Sequence, residues 1–238
     1  EQGFDIETTI DINIQDVAED ALHRALKMHR ANYGCVMLME VATGEIKAMA
    51  NLGKDRNGNY VEKYNYAVGT QGLTDPGSTF KLASMMALFE ETNLDITDSV
   101  DTGNGKYMFY NRAIYDTKPG GYGKITLQHA FEKSSKIAVM KEIYQHFGNE
   151  PQKYIDYIKK FGMARPLNFQ LVGEAIPYVK DPTDKTWSGI SLPWMSIGYE
   201  LKISPLHTLT LFNAVANDGK MVKPMIVRRI KKADKTIE

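Results

Sequence analysis

The stretch TDPGSTFKLASMMALFE, Thr74 to Glu90, decides how this chain is read. Pro76 and Gly77 precede a serine, a lysine follows three residues later, and an apolar run continues from there. Residues three apart on a helix share a face, so Ser78 and Lys81 would stand side by side. A serine hydroxyl is a weak nucleophile until a neighbour takes its proton. A lysine can take it only when burial or nearby positive charge pulls its pKa down. Lys81 falls in a first helical turn, where the positive end of the helix dipole disfavours an ammonium, and it is set among Phe80, Leu82 and Ala83. Gly77 leaves room for a substrate backbone to approach. The pair has a second account, with Ser78 as a helix N-cap and Lys81 as a solvated first-turn residue. A serine followed three residues later by a lysine arises about once by chance in a chain this long. The Pro-Gly entry and the long apolar helix lift the first account level with the second, and the residues alone leave both open.

Working outward, 238 residues allow one or two domains with a sizeable core, and 43% hydrophobic with 24% charged residues is a globular composition. Lys plus Arg and Asp plus Glu both number 29, so the formal charge is zero and no nucleic acid partner is implied. Apolar spacing from Ile14 through Val17, Leu22 and Leu26 predicts a helix over 14–30. YGCVMLMEVATGEIKAMANL reads as a hairpin turning at Ala42-Thr43-Gly44-Glu45, its nearly unbroken apolar first strand expected in the middle of a covered sheet. Residues 52–77 and 95–124 read as loops. Helices are expected from Phe80 to Phe89, too apolar for the surface, from about Thr126 to Phe147, from Glu150 to Phe161 and from Leu206 to Asn217. The closing MVKPMIVRRIKKADKTIE begins as a strand.

Other candidates are fewer. Ser134 and Ser135 interrupt an apolar helical pattern, where serine competes for backbone hydrogen bonds, and the bland reading is a kink or a tight helix crossing. The five histidines form no H-E-x-x-H or similar pattern, so no metal site is expected. Cys35 lies in an apolar run and reads as core. Neither a P-loop nor a G-x-G-x-x-G occurs, and no apolar run reaches the roughly 18 residues of a membrane span.

At this point the chain resembles a family. The blocks TIDINIQDVAEDAL, VATGEIKAMAN, DPGSTFKLASMMAL, ITLQHAFEKSSKIAV, LPWMSIGYELKISPLHTL and NAVANDGKMVKP follow one another as in the transpeptidase domain of class B penicillin-binding proteins of the cell-division type. The resemblance implies an α/β (α+β) fold shared with serine β-lactamases: an antiparallel sheet flanked by helices, with an all-helical lobe. It covers 1–238 as one transpeptidase domain. Ser78 would be the acylated nucleophile, Lys81 its base, and Ser134 the opening serine of the second box, S-x-N, relaying a proton to the leaving amine. Where the family has asparagine this sequence has Lys136, which the resemblance places at a substrate-binding position and which would bring a second ammonium toward Lys81. Gly77 would lie against the substrate. The third box, K-T-G or K-S-G, is expected beyond the last residue given, together with further sheet strands. Lys185-Thr186-Trp187 is rejected as that box because it lacks the glycine and precedes the SIGYE block. A chain without that wall is expected to be weakly active or inactive, since losing one oxyanion donor costs about a hundred- to thousandfold.

The resemblance further implies a D,D-transpeptidase that cross-links stem peptides in septal peptidoglycan, with β-lactams as acylating mimics, division proteins as partners, no cofactor, and an extracytoplasmic site anchored by an N-terminal segment outside this sequence. Two alternatives stay open: a serine β-lactamase or D,D-carboxypeptidase, and a non-catalytic penicillin-binding sensor, for which Lys136 speaks.

Overall fold

The computed structural model describes residues 3–232 and the backbone of Lys235–Thr236. In chain order the elements begin with β1 (Asp5–Thr8), α1 (Ile12–Met28), β2 (Tyr33–Met39), β3 (Ile46–Lys54) and β4 (Tyr60–Val61). There follow α2 (Lys81–Glu91), β5 (Ser99–Asp101), β6 (Lys106–Phe109), β7 (Arg112–Tyr115) and β8 (Lys124–Thr126). The next are α3 (Leu127–Glu132), α4 (Lys136–Phe147), α5 (Pro151–Lys160), β9 (Tyr178–Val179) and α6 (Ser191–Ser196). The last are β10 (Leu201–Lys202), α7 (Pro205–Ala216), β11 (Val227–Lys232) and β12 (Lys235–Thr236). The chain forms two compact units, one of residues 1–73, 166–176 and 204–238, the other of 74–165 and 177–203.

The first unit is built on antiparallel sheets, ordered β2-β3-β4 and β1-β11-β12. The predicted hairpin is there, with Val36 opposite Ala50 and Met37 opposite Met49. Its strands exchange their expected places. β3 lies between β2 and β4 and is buried along most of its length, while β2 is the edge strand among the described ones. Apolar residues alone could not rank the two strands, because α1 covers one sheet face: Leu22 and Leu26 pack on Ala50 and Leu52. Gln15 of α1 clasps β3 by accepting from the Met49 N–H and donating to the Met49 carbonyl. Asp11 caps α1 through the Asn13 and Ile14 amides, so the helix starts two residues before the predicted boundary. Glu45, at the entry to β3, receives a two-pronged hydrogen bond from Arg228 of β11, which with Lys47 holds its carboxyl down at about 2. Cys35 is half-buried, and burial pushes its thiol up to about 11. The closing residues of the predicted terminal strand, Ala233-Asp234 and Ile237-Glu238, lie outside the described residues.

The second unit is centred on α2, whose Phe80-led start and Ala83, Met85, Ala87 and Leu88 are buried, as its apolar composition required. Around it lie Ile137, Met140, Ile143 and Phe147 of α4 and Tyr154, Ile155 and Ile158 of α5. Ser84, midway along α2, donates to the Ser196 carbonyl of α6 and meets the hydroxyl of buried Tyr154 at 2.7 Å. A polar group inside this core is thus fully paired. Two corrections to the sequence reading fall here. Residues 95–124 hold the short pairs β5/β8 and β6/β7 rather than loop alone. The helix expected over 126–147 is two helices, broken at Lys133-Ser134-Ser135. No helix among the described residues is long and apolar enough to cross a membrane.

Candidate active site

Gly77–Phe80 form a single 3-10 turn that runs straight into α2 at Lys81. Gly77 has φ +58°, which costs glycine little, and a Cβ there would meet nothing within 4 Å, so this side of the turn is open. Its N–H donates to the Gly198 carbonyl at 3.0 Å. Gly198 closes the opposite side: a Cβ on it would lie 2.0 Å from the Gly77 carbonyl oxygen. The two glycines let the turn after α6 press directly on the turn that carries Ser78.

Ser78 is exposed and its hydroxyl makes no hydrogen bond among the described residues. Its carbonyl accepts from the Lys81 N–H. In a 3-10 turn residues i and i+3 eclipse, which places the lysine stem beneath the serine and directs it inward. The Lys81 side chain is 1% exposed, and its Nζ donates to the Ser134 carbonyl at 2.5 Å and to Ser134 Oγ at 2.9 Å. Lys81 therefore joins the first and second sequence motifs, while its hydrogen bonds run to Ser134 and none to Ser78. Burial, and then the positive charge of Lys136, bring the Lys81 amine down to about 8; the carboxylate of Asp116 pulls the other way.

Ser134 has a left-handed backbone, φ +54°, in the break between α3 and α4. Lys136 is the first residue of α4 and half-buried. Ser135 caps α4 by accepting from the Ala138 N–H. The sequence reading missed Asp116. It is 9% exposed, takes hydrogen bonds from Ser135 Oγ and from the Lys136 and Ile137 amides, and stands 19 to 21 residues away from those partners. An acid after a short strand carries no local signal of such a role. Gly198 was legible only as part of a block. Among the described residues no group of three or more His, Cys, Asp or Glu side chains is placed to hold a metal ion.

A mixed sheet-and-helix fold with a serine at a helix start, a buried lysine one turn on and, against that lysine, a serine from the break between two further helices is the arrangement of the penicillin-binding transpeptidase fold class. The chain belongs to the penicillin binding protein transpeptidase domain family, whose family model matches residues 34–238. It is 28% identical over 227 residues to the probable peptidoglycan D,D-transpeptidase PbpC of Pseudomonas aeruginosa, covering 94% of this chain and 39% of that protein. It is 26% identical over 225 residues to the peptidoglycan D,D-transpeptidase FtsI of Escherichia coli, covering 93% of this chain and 37% of that protein. Among solved structures, penicillin-binding protein 3 of Mycobacterium tuberculosis, complexed with ampicillin, superposes with a TM-score of 0.84 at 24% identity, over all of this chain and 52% of that one. A peptidoglycan glycosyltransferase from Burkholderia ambifaria superposes with a TM-score of 0.80 at 24% identity, over 96% of this chain and 66% of that one. The chain spans 33% to 39% of the length of the first three curated relatives.

Proposed function

We propose that this chain carries the acyl-transfer site of a peptidoglycan D,D-transpeptidase of the cell-division type. Ser78 attacks the carbonyl of a D-Ala-D-Ala bond while neutral Lys81 takes its proton. The Ser78 amide sits at the start of a helical turn, where backbone N–H groups lack intrahelical partners, and serves as one oxyanion donor. The carbon–nitrogen bond breaks as Ser134 passes the proton from Lys81 to the departing D-alanine amine, leaving an acyl ester on Ser78. An amine of a neighbouring stem peptide then attacks the ester, gives its proton back through the same pair, and restores the Ser78 hydroxyl. Lys136 acts in place of the family asparagine as a donor toward the substrate. Because stem peptides lie outside the cytoplasm, so does the site, and β-lactams acylate Ser78 as mimics of the D-Ala-D-Ala bond. Ampicillin and aztreonam in the mycobacterial relative's structures support this by analogy.

One observation carries the reading: a lysine buried to 1% exposure, one turn beyond Ser78, is hydrogen-bonded to a serine 53 residues away. A surface lysine would do none of this. A hydrolase must activate water with a base for deacylation, and the carboxylate whose charge reaches Lys81, Asp116, is occupied by the Ser135 hydroxyl and the first two amides of α4. The replacement of asparagine by Lys136 favours a second reading, a non-catalytic penicillin-binding module. Incubation of the full-length protein with a fluorescent penicillin, followed by peptide mapping, separates these. A stable ester on the Ser78 peptide, absent from Ser78→Ala, is expected. Rapid turnover of a chromogenic cephalosporin would mean a hydrolase, and no ester at all would leave the non-catalytic module.

A further inference from the structure

Asp116 follows β7 and is almost fully buried, with its N–H donating to the Gly105 carbonyl at 3.1 Å. Its Oδ1 accepts from the Lys136 N–H at 2.7 Å and the Ile137 N–H at 3.2 Å, and its Oδ2 accepts from Ser135 Oγ at 2.8 Å. Ser135 Oγ in turn accepts from the Ala138 N–H at 3.1 Å. Asp116 and Ser135 together thus satisfy the first three amides of α4, the groups that a helix start leaves without intrahelical partners.

In an unbroken helix the Ala138 N–H would bond to the carbonyl four residues back, which is that of Ser134. Here that amide goes to Ser135 Oγ, and the Ser134 carbonyl is free to accept from Lys81 Nζ. The neighbouring amides also leave the ladder of a continuous helix, since Ser134 N–H donates to Phe131 and Ser135 N–H to Ala130. A left-handed serine costs roughly 1 kcal/mol or more. The break holds because buried Asp116 stabilises the restart of the helix beyond it.

We propose that Asp116 is a positioning residue: it holds the α3–α4 break open so that Ser134 presents both its carbonyl and its hydroxyl to Lys81. The catalytic consequence rests on the acyl-transfer reading above, while the structural and electrostatic parts do not. The charges acting on Lys81 are Lys136, from the start of α4, and Asp116, from the end of β7; Ser134, between α3 and α4, supplies neutral dipoles. Lys81 must be neutral to accept the Ser78 proton. Removing the Asp116 charge therefore moves the acidic limb of acylation to lower pH, and removing its hydrogen bonds misplaces Ser134.

The test uses Asp116→Asn, which keeps an acceptor for the two amides but loses the charge, and Asp116→Ala, which loses both. In the full chain, selectively labelled lysine followed by NMR reports the Lys81 titration without any need for activity. Lys81 is expected to titrate lower in Asp116→Asn than in the parent, with the acidic limb of fluorescent-penicillin labelling displaced in the same direction. Asp116→Ala is expected to label slower by on the order of a hundredfold, as misplacement of a reacting group by about an ångström does, and to lose hydrogen-exchange protection in the first turn of α4. If Asp116→Ala does not fold, Asp116→Asn carries the test alone. An unchanged Lys81 titration in Asp116→Asn overturns the electrostatic part, and an Asp116→Ala variant that labels at the parent's rate with the first turn of α4 still protected overturns the positioning part. A shifted titration with no labelling of any protein, parent included, upholds the proposal and sinks the acyl-transfer reading.

Discussion

Lys81 pairs an amine with surroundings that disfavour its charge, since burial removes the water an ammonium needs and Lys136 adds repulsion. The folded amine titrates at about 8 against an ordinary 10.5, so between those values the native chain binds fewer protons than the unfolded one. Stability must then rise with pH across that window, with the penalty fully present below it. Denaturant midpoints measured across the interval should climb, and Lys81→Met should lack that part of the climb even though the tyrosines still titrate. A parent profile no steeper than that of Lys81→Met would show that the buried amine is not perturbed. Lys136→Asn tests the second cause: without the neighbouring ammonium the Lys81 amine titrates higher, and the acidic limb of penicillin labelling moves up in pH. At neutral pH the variant therefore labels more slowly than the parent, unless asparagine binds the substrate better than lysine does, which the limb position separates from the plateau rate. The sequence disclosed this much because Ser78 and Lys81 are three apart within an apolar run. It could not disclose that the amine bonds to Ser134, or that the charge of Asp116 acts on it, because both involve residues distant in the chain.

The helices expected over 14–30, 80–89, 150–161 and 206–217 each begin within two residues of their observed starts, and in three of them the structure shows a cap or a first-turn proline there: Asp11 before α1, Pro151 in α5 and Ser204-Pro205 at α7. Where punctuation is tertiary the reading failed. The Ser134-Ser135 pair hinted at a kink after α3, but Asp116, which holds the break, lies 19 to 21 residues away from its partners there, and β5 to β8, of three or four residues each, are too short to show an alternating pattern. The turn between α6 and β10 makes the same point. Gly198 has φ +86° and its absent Cβ is what lets the backbone meet Gly77. Gly198→Ala should therefore cost about 2 to 3 kcal/mol from the left-handed backbone and the displaced turn, and should depress labelling beyond what a loss of stability explains. Thermal melts and labelling rates on the same preparation measure the two effects. A variant that melts and labels like the parent would falsify the claim that this contact positions Ser78.

On the scale of the whole molecule, the feature left open among the described residues is an edge. β2 runs for seven residues, Tyr33 to Met39, without a charge or a proline, and among the described residues it pairs on one side only, with β3. Tyr33 is 48% exposed and Leu38 44% exposed. An apolar strand with unpaired amides and carbonyls along one side is a template for another strand. A chain with 29 acidic and 29 basic side chains has no net charge to keep copies apart. The 238-residue chain in isolation is thus expected to associate through β2 in a concentration-dependent way. Leu38→Lys places a charge on the exposed part of that strand, the device by which natural edges are kept from pairing. Because Leu38 is already half in solvent, its loss should change folding stability by no more than about 0.5 kcal/mol. Sedimentation velocity over a dilution series should then show the monomer persisting to higher concentration in Leu38→Lys than in the parent at matched melting temperature. Association that continues unchanged in the variant would place the meeting surface of the copies elsewhere than on β2.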